Sequence, residues 1–340
     1  MARDVPGALA LEHGLTYVHD HDPGISRIET SRGREYIAAD GGRVRDPVVL
    51  DRIHRLVIPP AWEDVWICED AQGHIQAIGR DARGRKQYLY HPSWRSFRDA
   101  AKYHRALAFG RALPRLRARI AADMRRHGLP REKVLAAVVR LLQVTLIRVG
   151  NDEYVRQNKS FGLTTLRKRH VTLHGAGAVF EFRGKSGIQH KTAFYDRRLA
   201  RVLARCEALP GQRLFQYVDH DDHRHAIGSA EVNAYLRSAM GEDFSAKDVR
   251  TWAGTLTAAR ALATQPAPTS ATEAKRTVAT CVKAVAGVLG NTPTVCRRCY
   301  IHPAVIDGYE RSELSRRLAG HGRRAELELL KLLSEAAAPA

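Results

Sequence analysis

The stretch REKVLAAVVRLLQVTLIRVG, residues 131–150, constrains the fold more than any other. It follows Pro130, a residue suited to a first helical turn, and its apolar side chains cover most faces of a helix instead of one stripe. Such a helix is stable only when other elements surround it, so the chain must build a core around it. The neighbouring segments are suited to that task. RRLARVLARCEAL places Leu199, Val202, Leu203 and Cys206 at helical spacing, which makes Cys206 a core residue. SAEVNAYLRSAMG runs from Ser229 to Gly241 as an N-cap and C′ pair. SAKDVRTWAGTLTAARALA opens on Ser245 and Asp248, a box-like start that sets Arg250 in the early turns. RTVATCVKAVAGVLG carries Val278, Val282 and Val285 on one face, includes Cys281, and stops at Gly290. One β interruption, RHVTLHGAGAVFEFRGKSG, reads as two short strands around a Gly-rich turn, with Lys185 just beyond the second.

Before residue 95 the pattern is different. REYIAAD, DVWICED and HIQAIGR are separated by DPGISR, ADGGR and DARGR, which are strand and turn signals. The expected class is α+β, with a small β-rich domain over residues 1–95 and a larger, mainly helical domain over 96–340. No internal repeat is evident. TQPAPTSAT reads as a loop and the Ala-rich tail as a frayed end.

Charge narrows the partner. Lys and Arg number 55 against 36 Asp and Glu, a formal +19, spread along all 340 residues. That balance points to a polyanion, above all nucleic acid; a basic surface kept for solubility is the alternative. The opening MARDVPGALALEHGLTYVHD has neither a basic segment leading into an unbroken apolar run nor a small-residue cleavage site. No run approaches the roughly 18 apolar residues of a membrane span. A cytoplasmic protein with no membrane association is expected. Five cysteines, at 68, 206, 281, 296 and 299, are too sparse for a disulfide framework and fit a reducing compartment.

The segment LGNTPTVCRRCYIHP, residues 289–303, brings Cys296, Cys299 and His302 to three-residue intervals around Tyr300. Thr292 followed by Pro293 restarts a helix, which puts Cys296 and Tyr300 on one face and turns Cys299 about 100° away. His302 precedes Pro303 and is pushed out of helical geometry. A structural zinc takes four ligands and this set supplies three; a redox CxxC needs a thioredoxin-like βαβ setting, which is missing. The cysteines read as small buried apolar residues. DHDDHRH, residues 219–225, also resembles a metal cluster, but its position between Val218 and the helix from Ser229 marks a solvated loop.

Tyr300 alone would be a packing residue with a wet hydroxyl. Its company suggests more: Arg148 after the buried helix, Lys185 in a turn, Arg250 opening a helix and Asn291 at the restart. Toward a phosphodiester, a tyrosine is a covalent nucleophile, two arginines present planar forks to the non-bridging oxygens, a lysine protonates the leaving oxygen and an amide adds a donor. Spacing by itself does not establish that these scattered residues converge.

The blocks RVGNDEYVRQNKSFGLTTLRKRHV, FRGKSGIQHK, KDVRTWAGT and LGNTPTVCRRCYIHP, in this order, resemble the successive motifs of type IB DNA topoisomerases in their compact bacterial and poxvirus form. The resemblance runs from about residue 15 to 312. It implies catalytic roles for Arg148, Lys185, Arg250 and Tyr300, and a phosphate-donor role for Asn291, which stands where viral and nuclear members carry histidine. GRDARGRKQYLYHP is similar to the family's small-domain block and implies DNA contacts at Gln87, Tyr88 and Tyr90; Tyr154 and Lys247 in the other blocks join them. Alternate residues of a half-buried strand are the plainer reading of Gln87, Tyr88 and Tyr90. The resemblance further implies a monomeric bilobed clamp on double-stranded DNA, nucleoid-associated, with a 3′-phosphotyrosyl intermediate and no metal, cofactor or nucleotide. The chain has no GxxxxGK[ST] phosphate loop. Two rivals remain. Tyrosine recombinases resemble the same set but carry HxxR where this chain has KDVR, with Lys247 at the histidine's place. A non-catalytic DNA clamp would leave five site residues idle.

Overall fold

In the computed structural model, which describes residues 5–31, 33–320 and 322–337, the chain divides into two units, 1–102 and 103–340. The first begins with α1 (Val5–Glu12) and then forms strands β1 (Gly24–Thr30) and β2 (Gly33–Ile37), helix α2 (Pro47–Arg55), and strands β3 (Glu63–Cys68), β4 (Ile75–Arg80) and β5 (Lys86–Tyr90). The strands make one antiparallel sheet in the order β2-β1-β3-β4-β5. Period-2 alternation sends Ile25, Val65, Ile67 and Ala77 to one cluster with Ile53 of α2, and Cys68 and Ile78 to another with Val18, which Ile75 joins across a register shift between Ile75 and Ala77. The sheet is thus covered on both faces, although the segments look only half apolar. The unit boundary falls inside α3 (Pro92–Asp123), whose first turn contains the sequence change near residue 95.

In the second unit, α4 (Arg131–Thr145) is the expected central helix. Val134 to Val139, Leu141 and Leu142 are nearly inaccessible to solvent, as an all-round apolar helix requires. It stops five residues short of the apolar stretch. Leu146 takes a left-handed conformation (φ 54°), while the Thr145 hydroxyl bonds back to Leu141 O at 2.7 Å. Residues 147–150 therefore run on as a non-helical, extended segment, with Ile147 still in the core. After α5 (Asp152–Asn158), strands β6 (Val171–His174), β7 (Gly177–Arg183) and β8 (Gln189–Tyr195) form an antiparallel sheet. The third strand was not expected from the sequence.

Helix α6 (Arg197–Ala208) buries Leu199, Val202, Leu203 and Cys206. DHDDHRH is the turn of a hairpin, β9 (Gln216–Val218) with β10 (Arg224–Ala226), in place of a plain loop. Helix α7 (Ser229–Met240) ends on left-handed Gly241, but its N-cap is Gly228, whose N–H reaches the Glu231 carboxylate at 2.9 Å; Ser229 lies inside the first turn. Helix α8 (Ala246–Ala263) opens with the expected Ser245 N–H to Asp248 bond at 2.8 Å. Then come α9 (Ala271–Leu289), α10 (Pro293–Tyr300), α11 (Pro303–Glu310) and α12 (Arg323–Ala336). The Ala-rich tail is not simply frayed: α12 reaches into it and buries Ala325, Leu329 and Leu333. Residues 338–340 of that tail, and 1–4 of the opening segment, lie outside the described residues. Helices α6, α7 and α8 pack on α4, giving an α+β fold. No helix among the described residues is long and apolar enough to cross a membrane.

Candidate active site

Two helix C-termini meet where four of the five expected residues gather. The last carbonyls of a helix lack intrahelical donors and carry partial negative charge, so cations bind them well. Arg250, on α8 and 4% exposed, donates one Nη to Leu146 O past the end of α4 and the other to Leu289 O at 2.6 Å at the end of α9. Arg148, half-buried on the extended segment, donates to Gly290 O at 2.9 Å and to the Asn291 side-chain oxygen. Gly290 ends α9 in left-handed geometry (φ 59°), and Asn291 N–H closes back on Ala286 O at 3.0 Å.

The electrostatics of this corner are unusual. Burial lowers the proton affinity of both guanidiniums, and for Arg250 the charge of Arg148 lowers it further; Tyr300 acts in the opposite direction on each. Among the described residues neither guanidinium forms an ion pair with a carboxylate, and none stands among the main influences on them. Two adjacent positive charges withdrawn from water without a counter-charge form a place for an anion. Asn291 points to the same conclusion. Its oxygen is held by Arg148, which leaves its Nδ2 facing away, buried and without an acceptor, as is Arg250 Nε. Buried donors are rarely left unpaired, so this corner is complete only with an acceptor-rich ligand.

Tyr300 closes α10, which starts at Pro293 behind the Thr292 cap. Cys296 is buried on the same face and Cys299 is half-exposed. Helix α8 seats the tyrosine directly. A Cβ at Gly254 would lie 2.6 Å from Tyr300 O and 3.2 Å from Tyr300 Cβ, so only glycine admits this approach. The adjacent Thr255 hydroxyl, fully buried, accepts from His302 N–H at 3.2 Å. The Arg250 guanidinium carbon is 5.4 Å from the Tyr300 ring centre. Helix α8 therefore carries the arginine and fixes the tyrosine backbone on one face.

The segment bearing Arg148 is clamped to residues 161–165. Leu163 and Thr164 N–H groups bond Arg148 O and Val149 O, each at 2.8 Å. Gly150 (φ 96°) and Gly162 allow the crossing, since a Cβ on Gly162 would fall 2.6 Å from Arg148 O. Phe161 N–H then bonds Arg183 O at 2.8 Å, which ties the end of β7 to the same clamp. Lys185 follows in a turn with Ser186 and Gly187 in left-handed geometry (φ 63° and 77°). Its side chain is exposed and makes no hydrogen bond or ion pair among the described residues. The structure thus joins Arg148, Arg250, Asn291 and Tyr300, and leaves Lys185 on a neighbouring turn.

The expected DNA-contact residues are dispersed. Tyr88 and Tyr90 stack on one face of β5, centroids 5.9 Å apart, with Tyr88 exposed. Strand alternation turns Gln87 to the opposite face, where its amide donates to Asp81 at 2.9 Å. Tyr154 stands 54% exposed on α5, and Lys247 is exposed in the first turn of α8. Cys296, Cys299 and His302 have separate environments: burial pushes the Cys296 thiol up to about 11, and the His302 ring caps α11 by accepting from Ala304 N–H at 3.1 Å. Asp219, Asp221 and His223 bring ligand atoms within 4.8 Å at the hairpin turn, where Asp219 already accepts two backbone N–H groups and pairs with His225 at 2.7 Å. Sequence reasoning passed over Gly254, Thr255 and His190. The first two lie inside KDVRTWAGT, where a Gly-Thr pair one turn after the arginine was the available signal, and His190 lies inside FRGKSGIQHK.

Comparison with known proteins shows the family. A family model described as "Eukaryotic DNA topoisomerase I, catalytic core" matches residues 91–317, and one described as "Bacterial DNA topoisomerase IB, N-terminal domain" matches residues 33–81. The DNA topoisomerase 1B of Acanthamoeba polyphaga mimivirus is 30% identical over 268 residues, 77% of this chain and 80% of the viral protein. That of vaccinia virus (strain Copenhagen) is 22% identical over 256 residues, 72% and 75% of the two chains. Fold and matches together define an isomerase of DNA topology that acts on duplex DNA. The chain belongs to the type IB DNA topoisomerases, with poxvirus-like relatives.

Proposed function

We propose that Tyr300 is the nucleophile of this topoisomerase and that Arg148, Arg250 and Asn291 bind the phosphate it attacks. The Tyr300 hydroxyl gives up its proton to solvent and its oxygen forms a bond to phosphorus as the bond to the 5′ oxygen breaks, giving a 3′-phosphotyrosyl link; Lys185 supplies the proton that the departing 5′ oxygen takes up. The free end swivels around the intact strand, and the 5′ hydroxyl then attacks phosphorus and expels Tyr300. The phosphodiester bond energy stays in the covalent link, so the cycle runs without nucleotide, and the guanidiniums meet the charge that a cation would otherwise meet. The observation that carries this reading is the corner itself: two guanidiniums without a carboxylate, a buried unpaired amide donor, and Tyr300 beside them.

The β-rich domain, 1–95, completes a clamp around DNA with the catalytic domain, 96–340. Gln87, Tyr88, Tyr90, Tyr154 and Lys247 contact the duplex, and the enzyme acts as a monomer on the nucleoid in the cytoplasm. The match of residues 33–81 to the bacterial N-terminal model supports the bacterial form. The deciding experiment is Tyr300→Phe. Relaxation and covalent adduct should both disappear while DNA affinity stays within about twofold, because one hydroxyl is lost among many phosphate contacts. An adduct that persists in Tyr300→Phe rejects this nucleophile.

A further inference from the structure

His190 on β8 occupies a place that neither the fold nor the assigned chemistry accounts for. It pairs with Phe182 across β7 and β8, and the two rings stack with centroids 5.2 Å apart at 10°. The edge of the imidazole is wedged between two glycines from different elements. A Cβ at Gly184 would lie 2.4 Å from its Cδ2 and 2.6 Å from its Nε2; a Cβ at Gly290 would lie 2.5 Å from its Cε1. Gly184 immediately precedes Lys185, and Gly290 immediately precedes Asn291. One ring therefore spans the gap between the turn that carries the lysine and the corner that binds phosphate.

We propose that His190 is a positioning residue: its ring is the spacer that sets the Lys185 turn at the correct distance from the Arg148, Arg250 and Asn291 corner. This rests on the role given to Lys185 above. The strands anchor the turn only as far as Arg183, where Phe161 N–H bonds its carbonyl and Gln189 pairs with it; beyond that the Lys185 side chain is exposed and the backbone closes on itself, through Gly184 N–H to Ile188 O at 2.8 Å and Gly187 N–H to Gly184 O at 3.1 Å. A proton donor is effective only within hydrogen-bond reach of the leaving oxygen, so a small displacement of the turn removes its contribution. The ring does this without adding charge. Burial, then Arg148 and Arg250, push the His190 imidazole below its ordinary value, so it stays neutral beside the guanidiniums. The two glycines are explained by the same contact, since any side chain at 184 would occupy the ring's position.

The test is single-turnover cleavage of two duplex substrates, one with the natural 5′ oxygen at the scissile bond and one with a bridging 5′ sulfur, which departs as thiolate and needs no proton. His190→Ala should slow cleavage of the oxygen substrate by about 10- to 100-fold, a fraction of the ~10²- to 10⁴-fold that a general acid supplies. On the sulfur substrate it should return to within about threefold of the parent. His190→Phe, which keeps the flat ring, should recover most of the lost rate on oxygen. Gly184→Ala should share the sulfur-rescued defect. The proposal is overturned if His190→Ala is equally slow on both substrates, if it cleaves both at the parent rate, or if His190→Phe is as slow as His190→Ala, which would make the imidazole nitrogen itself the active group. Lys185→Ala is the control. If sulfur fails to rescue it, the assignment of Lys185 as acid is wrong, an outcome distinct from any result at His190.

Discussion

In the proposed reaction Arg148, Arg250 and Asn291 on one side and Lys185 on the other act on one phosphate, yet the two regions are built in opposite ways. In the corner, side chains are withdrawn from water and tied to the carbonyl ends of two helices. In the turn, the lysine stands exposed just before left-handed Ser186 and Gly187, with no side-chain partner among the described residues. The difference follows from what each must do. Charge grows on the phosphate oxygens early in the transition state, and donors that had to reorganise then would lose most of their advantage, so they are fixed beforehand. A proton is needed only when the leaving oxygen becomes basic, so its donor can be held more loosely.

The largest expected effect separates both regions from the rest of the surface. If 6 to 10 phosphates are neutralised, the log of the binding constant should fall with log salt at a slope of roughly −5 to −9, about 10³- to 10⁵-fold in affinity between 50 and 200 mM. Arg250→Ala, which loses one phosphate contact, should change that slope by about one unit at most in an anisotropy titration. A slope near zero in the parent protein would mean that the +19 charge is no footprint for DNA.

Arg250→Ala should then lower single-turnover cleavage by more than about 1,000-fold, beyond the ~3 to 4 kcal/mol of a single neutral donor. Arg250→Lys should recover little, because an ammonium cannot span the Leu146 and Leu289 carbonyls with a planar fork. Near-parent cleavage by the lysine variant would show that the corner needs charge and not geometry.

Asn291→Ala should slow cleavage by about 100- to 1,000-fold or less, since it removes an uncharged donor. Asn291→His should keep substantial activity, because imidazole donates from a similar reach. On the 5′-sulfur substrate the Asn291→Ala defect should persist while that of Lys185→Ala shrinks. If both defects respond alike, the distinction between fixed corner and loose turn fails.

The smallest effect concerns the clamp behind the site. Burial, then Arg169 and Arg167, lowers the His170 imidazole to about 4, and its Nδ1 accepts from Arg167 N–H at 3.1 Å. In the unfolded chain the group protonates near the ordinary value of about 6.5. Between about pH 6.5 and 4 the unfolded state therefore binds more protons, so stability is full above 6.5 and falls as pH drops through that window. Denaturant midpoints measured across it should decline less steeply in His170→Gln; an identical decline removes His170 as the cause.

Much of the helical framework was legible because each segment carried both a period and a stop. In α9, Val278, Val282 and Val285 mark a face and Gly290 ends it; in α10, Thr292 and Pro293 mark the restart. Strand β8 was not legible, since QHKTAFY shows one buried residue in seven and reads as a polar linker. The three-residue strands of the hairpin are too short to display a period of two. The early end of α4 has no glycine to announce it; Leu146 adopts left-handed geometry under tertiary constraint. Convergence of Arg148, Arg250, Asn291 and Tyr300 was expected only through resemblance to a family, because residues 150 positions apart carry no mutual signal in their spacing. His190 lies in FRGKSGIQHK with Gly184, but its meaning depends on Gly290, which the fold brings to it from about 100 positions away.

Only Ile301 and His302 separate Tyr300 from Pro303, where α11 begins. Ile301 is 1% exposed, His302 is held by Thr255 on one side and caps α11 on the other, and Pro303 admits no continuation of the helix. Tyr300 thus sits on a short post braced at both ends, with no slack to reach into another copy of the chain. On the reading proposed here, a cut strand is captured and returned within a single polypeptide. The cycle should then be first order in bound enzyme, with a rate per complex that does not rise with protein concentration. Two duplexes lying side by side in such a cell would change their winding without trading ends.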